Sequence, residues 1–241
     1  MRVSGKSIII TGGTDGIGLR LARQLKAKGA TVTITGRTAS RIDAARAEGF
    51  EVIAVDLANQ AGVDALVAAL ADKPIDILIN NAGMGETFDI TDPGSINLAA
   101  HDATIFLNLN APIHLITRLI PALRARPEAM IVNVTSGLAI APNMGSPVYC
   151  ATKAALRSFT MAIRAQLKAT NVHVLEVLPP VVDTQMTADI SRGKLPPEEC
   201  ARQIVSAIER GANEANVGMV KILRTAYSLS PALARMVMLR Y

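Results

Sequence analysis

"SIIITGGTDGIGLRLARQLKAKG", residues 7 to 29, sets a short β-branched run, a glycine-rich turn and a helical pattern side by side. Ser7 to Thr11 reads as a strand. From Gly16 to Gly29 the apolar residues Ile17, Leu21 and Leu25 recur at helical spacing, and Gly29 supplies a C-terminal stop. Between strand and helix, Gly12, Gly16 and Gly18 have the spacing GxxxGxG, with Gly13 as a further small residue. Glycine there permits positive φ and a close backbone approach, while the helix start turns unsatisfied N–H groups and partial positive charge toward the loop. A pyrophosphate suits that environment. Thr14, Asp15 and Ile17, with the three spaced glycines, are its expected neighbours.

Outward from this unit the same alternation recurs. Strands are expected at 30–35, 51–57, from Asp76, at 129–136 and at 171–178. Helices are expected near 39–48, 61–71, 99–125, 149–169 and 198–210, and a short last strand at Val220 to Leu223. Strands apolar on both faces and separated by helices imply a parallel sheet covered on both sides, with right-handed crossovers. The expectation is an α/β, doubly wound (Rossmann) sheet of about seven strands with helices on both faces, one domain over residues 1–241. Such sheets bind ligands beyond the carboxyl ends of their strands. The segments after the strands, "TGGTDGIG", "GR", "DLAN", "NNAG", "TSGLA" and "LPPVVDT", are therefore where chemistry is expected.

Bulk composition narrows the function classes. The net charge is +5, but the basic residues are scattered and there are only seven aromatic residues. Base-stacking platforms need aromatics, so nucleic-acid binding is not expected, and the charge suits an anionic small ligand. Apolar runs such as Ala65 to Ala71 fall short of the ~18 residues of a membrane span. No transmembrane helix is expected. "MRVSGKSIII" lacks the apolar core and cleavage site of a signal peptide, which points to the cytoplasm. Cys150 and Cys200 form no CxxC pair and have no histidine cluster, so neither a disulfide framework nor a metal site is expected.

The second strand ends in Thr35, Gly36 and Arg37. An NAD site usually carries an acidic side chain here; Gly36 cannot supply one, and Arg37 can pair with a 2′-phosphate or stand as a solvated surface residue. NADP is favoured, with NAD possible because Asp15 in the glycine loop works against the phosphate. Asp56 and Leu57 after the third strand are candidates to hold an adenine; Asp56 is equally suited to cap the next helix. After the fourth strand, Asn81, Ala82 and Gly83 let the backbone lie close to a ribose. Tyr149 and Lys153, four residues apart on a helix, share a face. An ammonium beside a phenol favours the phenolate and lowers its pKa, which makes the pair a workable general acid. Ser136, just after the fifth strand, is placed to hold a substrate oxygen beside the tyrosine.

With "TGGTDGIG", "NNAG", Ser136 and "YCATK" in order, nearly the whole chain closely resembles the short-chain dehydrogenase/reductase family. The resemblance implies a catalytic tetrad whose asparagine falls on Asn108 of "FLNLNAP", with Asn110 the competing candidate. It assigns proton transfer to Tyr149, lowering of its pKa and a ribose contact to Lys153, orientation of the carbonyl to Ser136, and support of a water chain to Asn108. The usual Pro-Gly after the sixth strand is here Pro179-Pro180, a stiffer backbone, followed by Val182 and by Thr184, suited to the carboxamide.

The reaction implied is NADP(H)-dependent interconversion of a carbonyl and a secondary alcohol. The alternatives on the same fold are a non-catalytic dinucleotide sensor or an assembly subunit. Leu138, Ile140, Met144, Pro180 and Met186 suggest an apolar small-molecule substrate, and residues 183–199 read as a mobile lid. The family commonly forms homodimers or homotetramers. Residues 218–241 mix basic and large apolar residues without an acidic one, and Pro231 divides them. The first part reads as the final strand. After Pro231, Leu233, Met236, Val237 and Arg240 mark a short amphipathic helix, which can pack on its own domain, join subunits or lie on a membrane surface.

Overall fold

Strand polarity builds the two layers of the core. In the computed structural model, which describes residues 1–191 and 193–240, Ile8 and Ile10 point to one face of the first strand and Ile9 to the other, the period of two that a strand imposes. Seven strands lie in one parallel sheet: β1 Ser7–Ile10, β2 Thr31–Gly36, β3 Glu51–Ala54, β4 Ile77–Asn80, β5 Ala129–Val134, β6 Val172–Leu178 and β7 Glu214–Asn216. Their order is β3-β2-β1-β4-β5-β6-β7. The chain winds outward first on one side of β1 and then on the other, so the loops after β1 and β4 part and leave a crevice at the switch point.

Helices α1 Gly16–Ala27 and α7 Pro197–Arg210 cover one face, with Leu21, Leu25, Ile204 and Ile208 in its core; α2 Ala39–Ala47 joins them through Ile42. The other face takes α3 Gln60–Ala69, α5 Ala111–Arg124 and α6 Pro147–Leu167, through Leu66, Leu115, Leu119 and Ile163. Leu98–Arg124 is long and apolar enough, by length and composition, to cross a membrane. Its apolar residues Leu107, Leu115, Ile116, Leu119 and Leu123 are instead part of this core.

Two elements differ from the sequence-based expectation. Val220 to Leu223 is not a strand but the first turn of α8 Val220–Leu229, whose Val220, Leu223 and Tyr227 pack at helical spacing on Ile140 and Leu178. The last strand is β7, three half-buried residues at the sheet edge with no apolar run to announce them. The single helix expected at 99–125 is α4 Leu98–Ile105, a π-helical turn at Phe106–Asn110, and α5. Pro112 explains the turn: it has no N–H for the carbonyl of Asn108 four residues earlier, and its ring would strike that carbonyl. Widening relieves both, and the Ala111 N–H reaches back to Phe106.

The segment 183–199 is a loop closed at its base, where Asp183 N–H donates to the Leu195 carbonyl and Leu195 N–H to that of Val181, both at 2.9 Å. Its last three residues belong to α7, and its Arg192 lies outside the described residues. The tail forms a helix, α9 Pro231–Met238, as expected. Leu233, Met236 and Val237 on it are exposed, and Tyr241 lies outside the described residues.

Candidate active site

A cleft of about 490 Å³ opens over the switch point, lined by the loops that follow β1 to β6. Its floor at one end is the glycine loop. Gly12 has φ +63°, and a Cβ there would stand 2.9 Å from the Cα of Ala82; a Cβ on Gly18 would overlap the Gly12 carbonyl. These two positions need glycine so that the loop can fold onto α1 and against the loop after β4. Side chains lock that contact. Asn81 Nδ2 donates to the carbonyls of Thr11 and Gly12 at 2.9 and 3.1 Å, while Thr11 Oγ1 accepts from the N–H groups of Asn81 and Ala82 at 3.0 Å. Asp15, the N-cap of α1, makes no side-chain cap hydrogen bond. The first N–H groups of α1 thus have no side-chain acceptor at the cap, and the missing Cβ atoms leave the cradle open: the residues fit a pyrophosphate.

Beyond the glycine loop, Gly36, Arg37 and Thr38 line the cleft with Asp56 and Leu57. Arg37 lies 3.6 Å from Asp56, and Arg41 of α2 lies 3.1 Å from Asp15. The Asp15 charge that spoke against a 2′-phosphate is therefore already paired. Asp56 also accepts from the Ala58 N–H at 3.1 Å, while Asn59, not Asp56, caps α3. The helix-cap reading of Asp56 is thus corrected, since Asn59 takes that place, and Asp56 lines the cleft while it bonds a backbone N–H of its own turn.

At the other end Ser136, Tyr149 and Lys153 line one wall with Pro179, Pro180 and Val182. Tyr149 and Lys153 project from α6, and the ammonium nitrogen stands 5.6 Å from the centre of the phenol ring. Lys153 is buried and donates to the Val134 carbonyl at 3.0 Å. Desolvation pulls its pKa down to about 8. Tyr149 moves oppositely: burial pushes it up to about 12, and the hydrogen bond with Ser136 offsets only part of that. The expected lowering of the phenol pKa by the neighbouring amine is thus not seen in this chain, where burial sets the direction and Ser136 alone opposes it. A half-buried phenol that stays protonated at neutral pH is a proton donor.

Asn108 does not line the cleft. Fully buried in the π-turn, it accepts from the Met84 N–H at 2.9 Å and donates to the Met84 carbonyl at 2.7 Å and to Thr152 at 3.1 Å. It clamps the loop that carries Gly83 and Gly85, and a Cβ at Gly83 would approach both its Oδ1 and the Lys153 amine. Asn110 forms no such contact among the described residues. Gly18 likewise lies beneath the cleft, whereas Gly12, Thr14, Asp15, Gly16, Ile17, Asn81, Ala82, Gly83 and Thr184 line it. Of the expected substrate residues, Pro180 and Met186 line the cleft. Ile140 is instead core beneath α8, Met144 is exposed, and Leu138 lies off the lining. Met84, Thr135, Arg41 and Gln185 line it unforeseen.

Comparison with known proteins extends this geometry. Residues 6–195 match the short chain dehydrogenase family. The chain is 38% identical to an uncharacterized oxidoreductase, DltE, of Bacillus subtilis, over 94% of this chain and 93% of that protein. A short chain dehydrogenase from Burkholderia cenocepacia, solved in complex with NADP, superposes with a TM-score of 0.89 over 99% of both chains at 25% identity. L-Sorbose reductase from Gluconobacter frateurii, complexed with NADPH and L-sorbose, gives a TM-score of 0.79 over 92% of this chain and 99% of its own, at 28% identity. Topology alone would leave function open. A match that runs without interruption from the glycine loop through Ser136, Tyr149 and Lys153 carries more than topology, and the chain belongs to the short-chain dehydrogenase/reductase family of NAD(P)-dependent oxidoreductases.

Proposed function

We propose that this protein is an NADP(H)-dependent oxidoreductase that interconverts a carbonyl and a secondary alcohol, with Tyr149 as the general acid and base. The observation that carries the reading is the grouping of Ser136, Tyr149 and Lys153 at one end of a cleft whose other end is a glycine loop and two arginines. Gly12 to Gly18 and the α1 N-terminus would hold a pyrophosphate, Arg37 and Arg41 a 2′-phosphate, and Val182 and Thr184 the nicotinamide end. The cofactor, when bound, supplies or accepts the hydride. The chain supplies the proton: in reduction the Tyr149 hydroxyl gives it to the substrate oxygen, which becomes the alcohol, while the Ser136 hydroxyl orients that oxygen. Lys153, charged below its pKa of about 8, steadies the phenolate that remains. The solved NADP and NADPH complexes of similar proteins support the choice of cofactor. Met84, Pro180 and Met186 line the cleft and favour a small carbonyl compound with an apolar part.

Tyr149→Phe tests the proposal, followed by NADPH absorbance across a panel of carbonyl compounds. Loss of about 10² to 10⁴ in rate is expected for removal of a general acid, with NADPH affinity unchanged. A variant that keeps more than a tenth of the activity would exclude Tyr149 as the proton donor.

A further inference from the structure

The reacting face of α6 does not end at Lys153. Arg157 and Thr160 follow on it, one turn and two turns on, and each is bonded to the sheet: Arg157 Nη1 donates to Glu176 Oε2 at 2.7 Å, and Thr160 Oγ1 accepts from Asn133 Nδ2 at 2.9 Å. Glu176 stands in β6 with no exposed surface. Its other oxygen, Oε1, accepts from Thr135 Oγ1 at 2.9 Å, and Thr135 is the residue immediately before Ser136. The second guanidinium nitrogen of Arg157 donates to Glu214 Oε2 of β7 at 3.0 Å, which fixes the plane of the fork.

Stability does not account for this arrangement. A carboxylate taken wholly out of water pays a desolvation cost that its partners barely return, and apolar residues of equal volume commonly hold a core as well or better. The cost is visible in Glu176 itself, whose pKa burial raises despite Arg157 and Thr135. What a buried carboxylate and a planar guanidinium do provide is direction, because their hydrogen bonds form only in one relative placement. Here one oxygen holds the strand end that bears Ser136, and the other holds the helix that bears Tyr149, eight residues before Arg157 on the same face.

We propose that Glu176 is a positioning residue that sets Ser136 and Tyr149 in register with each other, through Thr135 on one side and Arg157 on the other. The inference rests on the reading of Ser136 and Tyr149 as the reacting pair. Thr135 N–H to the Val177 carbonyl at 2.8 Å and Gly137 N–H to the Pro179 carbonyl at 2.9 Å keep the backbone around Ser136 along β6. Together with the Lys153 bond to the Val134 carbonyl and the Thr160 bond to Asn133, the carboxylate limits the slide and rotation of α6 against that backbone. Misplacement of a reacting group by about 1 Å costs on the order of 10²-fold in rate.

The experiment compares Thr135→Val, Thr135→Ser and Glu176→Gln with the unaltered enzyme and with Tyr149→Phe. It measures kcat for reduction of the best carbonyl compound in the panel, the KM for NADPH, and folding by circular dichroism. Thr135→Val and Glu176→Gln are expected to lower kcat by about 10-fold to 100-fold with the KM for NADPH within about twofold, and Thr135→Ser to restore kcat. Should Glu176→Gln not fold, the two Thr135 variants still decide the matter. A kcat within about twofold of normal in Thr135→Val, or a Thr135→Ser variant as slow as Thr135→Val, would overturn the positioning role. An active Tyr149→Phe enzyme would instead sink the assignment of the reacting pair.

Discussion

Lys153 and Tyr149 sit in one patch of low polarity, yet burial drives their proton affinities apart. The phenol is held protonated to about pH 12, while the amine gives up its proton from about pH 8. Lys153 is thus the first of the pair to change charge as pH rises, and its neutral form no longer steadies a phenolate. The expected outcome is that kcat/KM for NADPH, which reports the free enzyme, falls as pH rises through about 8. In Lys153→Arg, whose guanidinium keeps its charge, whatever activity remains should lack that limb; the same limb in both proteins would assign it to another group. At the far end of the cleft, Arg37 and Arg41 already have carboxylate partners, but exposed pairs of this kind are worth at most about 1 kcal/mol. A phosphate can take either guanidinium at little cost. Arg37→Ala should therefore weaken NADPH by roughly 1.5–3 kcal/mol, the value of a charge-assisted hydrogen bond, and leave NADH nearly untouched. Equal losses for both cofactors, measured by titration, would remove the 2′-phosphate from the argument. Arg37 was legible because it follows a strand end. Arg41 was not, since in sequence it is one more arginine on a short surface helix.

At the scale of the element, what the sequence disclosed depended on whether burial left a periodic mark. β1, β5 and β6 are covered on both faces and read as mainly apolar runs, interrupted in β5 by Asn133 and in β6 by His173 and Glu176. β7 is an edge strand of Glu214, Ala215 and Asn216, held by backbone pairing and by the Glu214 ion pair with Arg157, and leaves no such mark. The short stretch Val220 to Leu223 drew the strand assignment instead, because three apolar residues around Lys221 fit a strand or one turn of a helix equally well. The π-turn was hidden for the opposite reason: apolar periodicity continues across it from α4 into α5, and only Pro112 marks the break. That turn sets the two asparagines apart, since it buries Asn108 against Met84 and Thr152 and leaves Asn110 half-exposed. The substrate end was read least well. Ile140 and Met144 follow Ser136 closely in sequence, but α8 takes Ile140 into the core and the loop carries Met144 outward.

Across the whole molecule the two faces of the sheet are closed by their helices, and the large apolar surface that remains concentrates on the last two helices. Leu229 is 81% exposed and Leu233, Met236 and Val237 about half, while Ala234 is the one buried residue of α9. α9 is tied back mainly to α8, where Arg235 donates to the Tyr227 hydroxyl at 2.7 Å. A helix so attached contributes little to the core, and an apolar stripe left open on it is a surface for another molecule. Because the cleft draws no residue from this helix, its removal should separate assembly from cofactor binding. Deletion of residues 231–241 is expected to change the oligomer size or the solubility while NADPH affinity stays within about twofold, an outcome in line with the subunit contacts common in the family. Size-exclusion chromatography with light scattering on both proteins checks the first half, and NADPH titration the second. Sedimentation with anionic vesicles tests the competing occupant, since the tail carries Lys221, Arg224, Arg235 and Arg240 and no acidic residue, although Arg224 lies 3.4 Å from Glu214 of β7. An unchanged oligomer, together with salt-sensitive vesicle binding by the full-length chain alone, would give the stripe to a membrane surface and not to a second subunit.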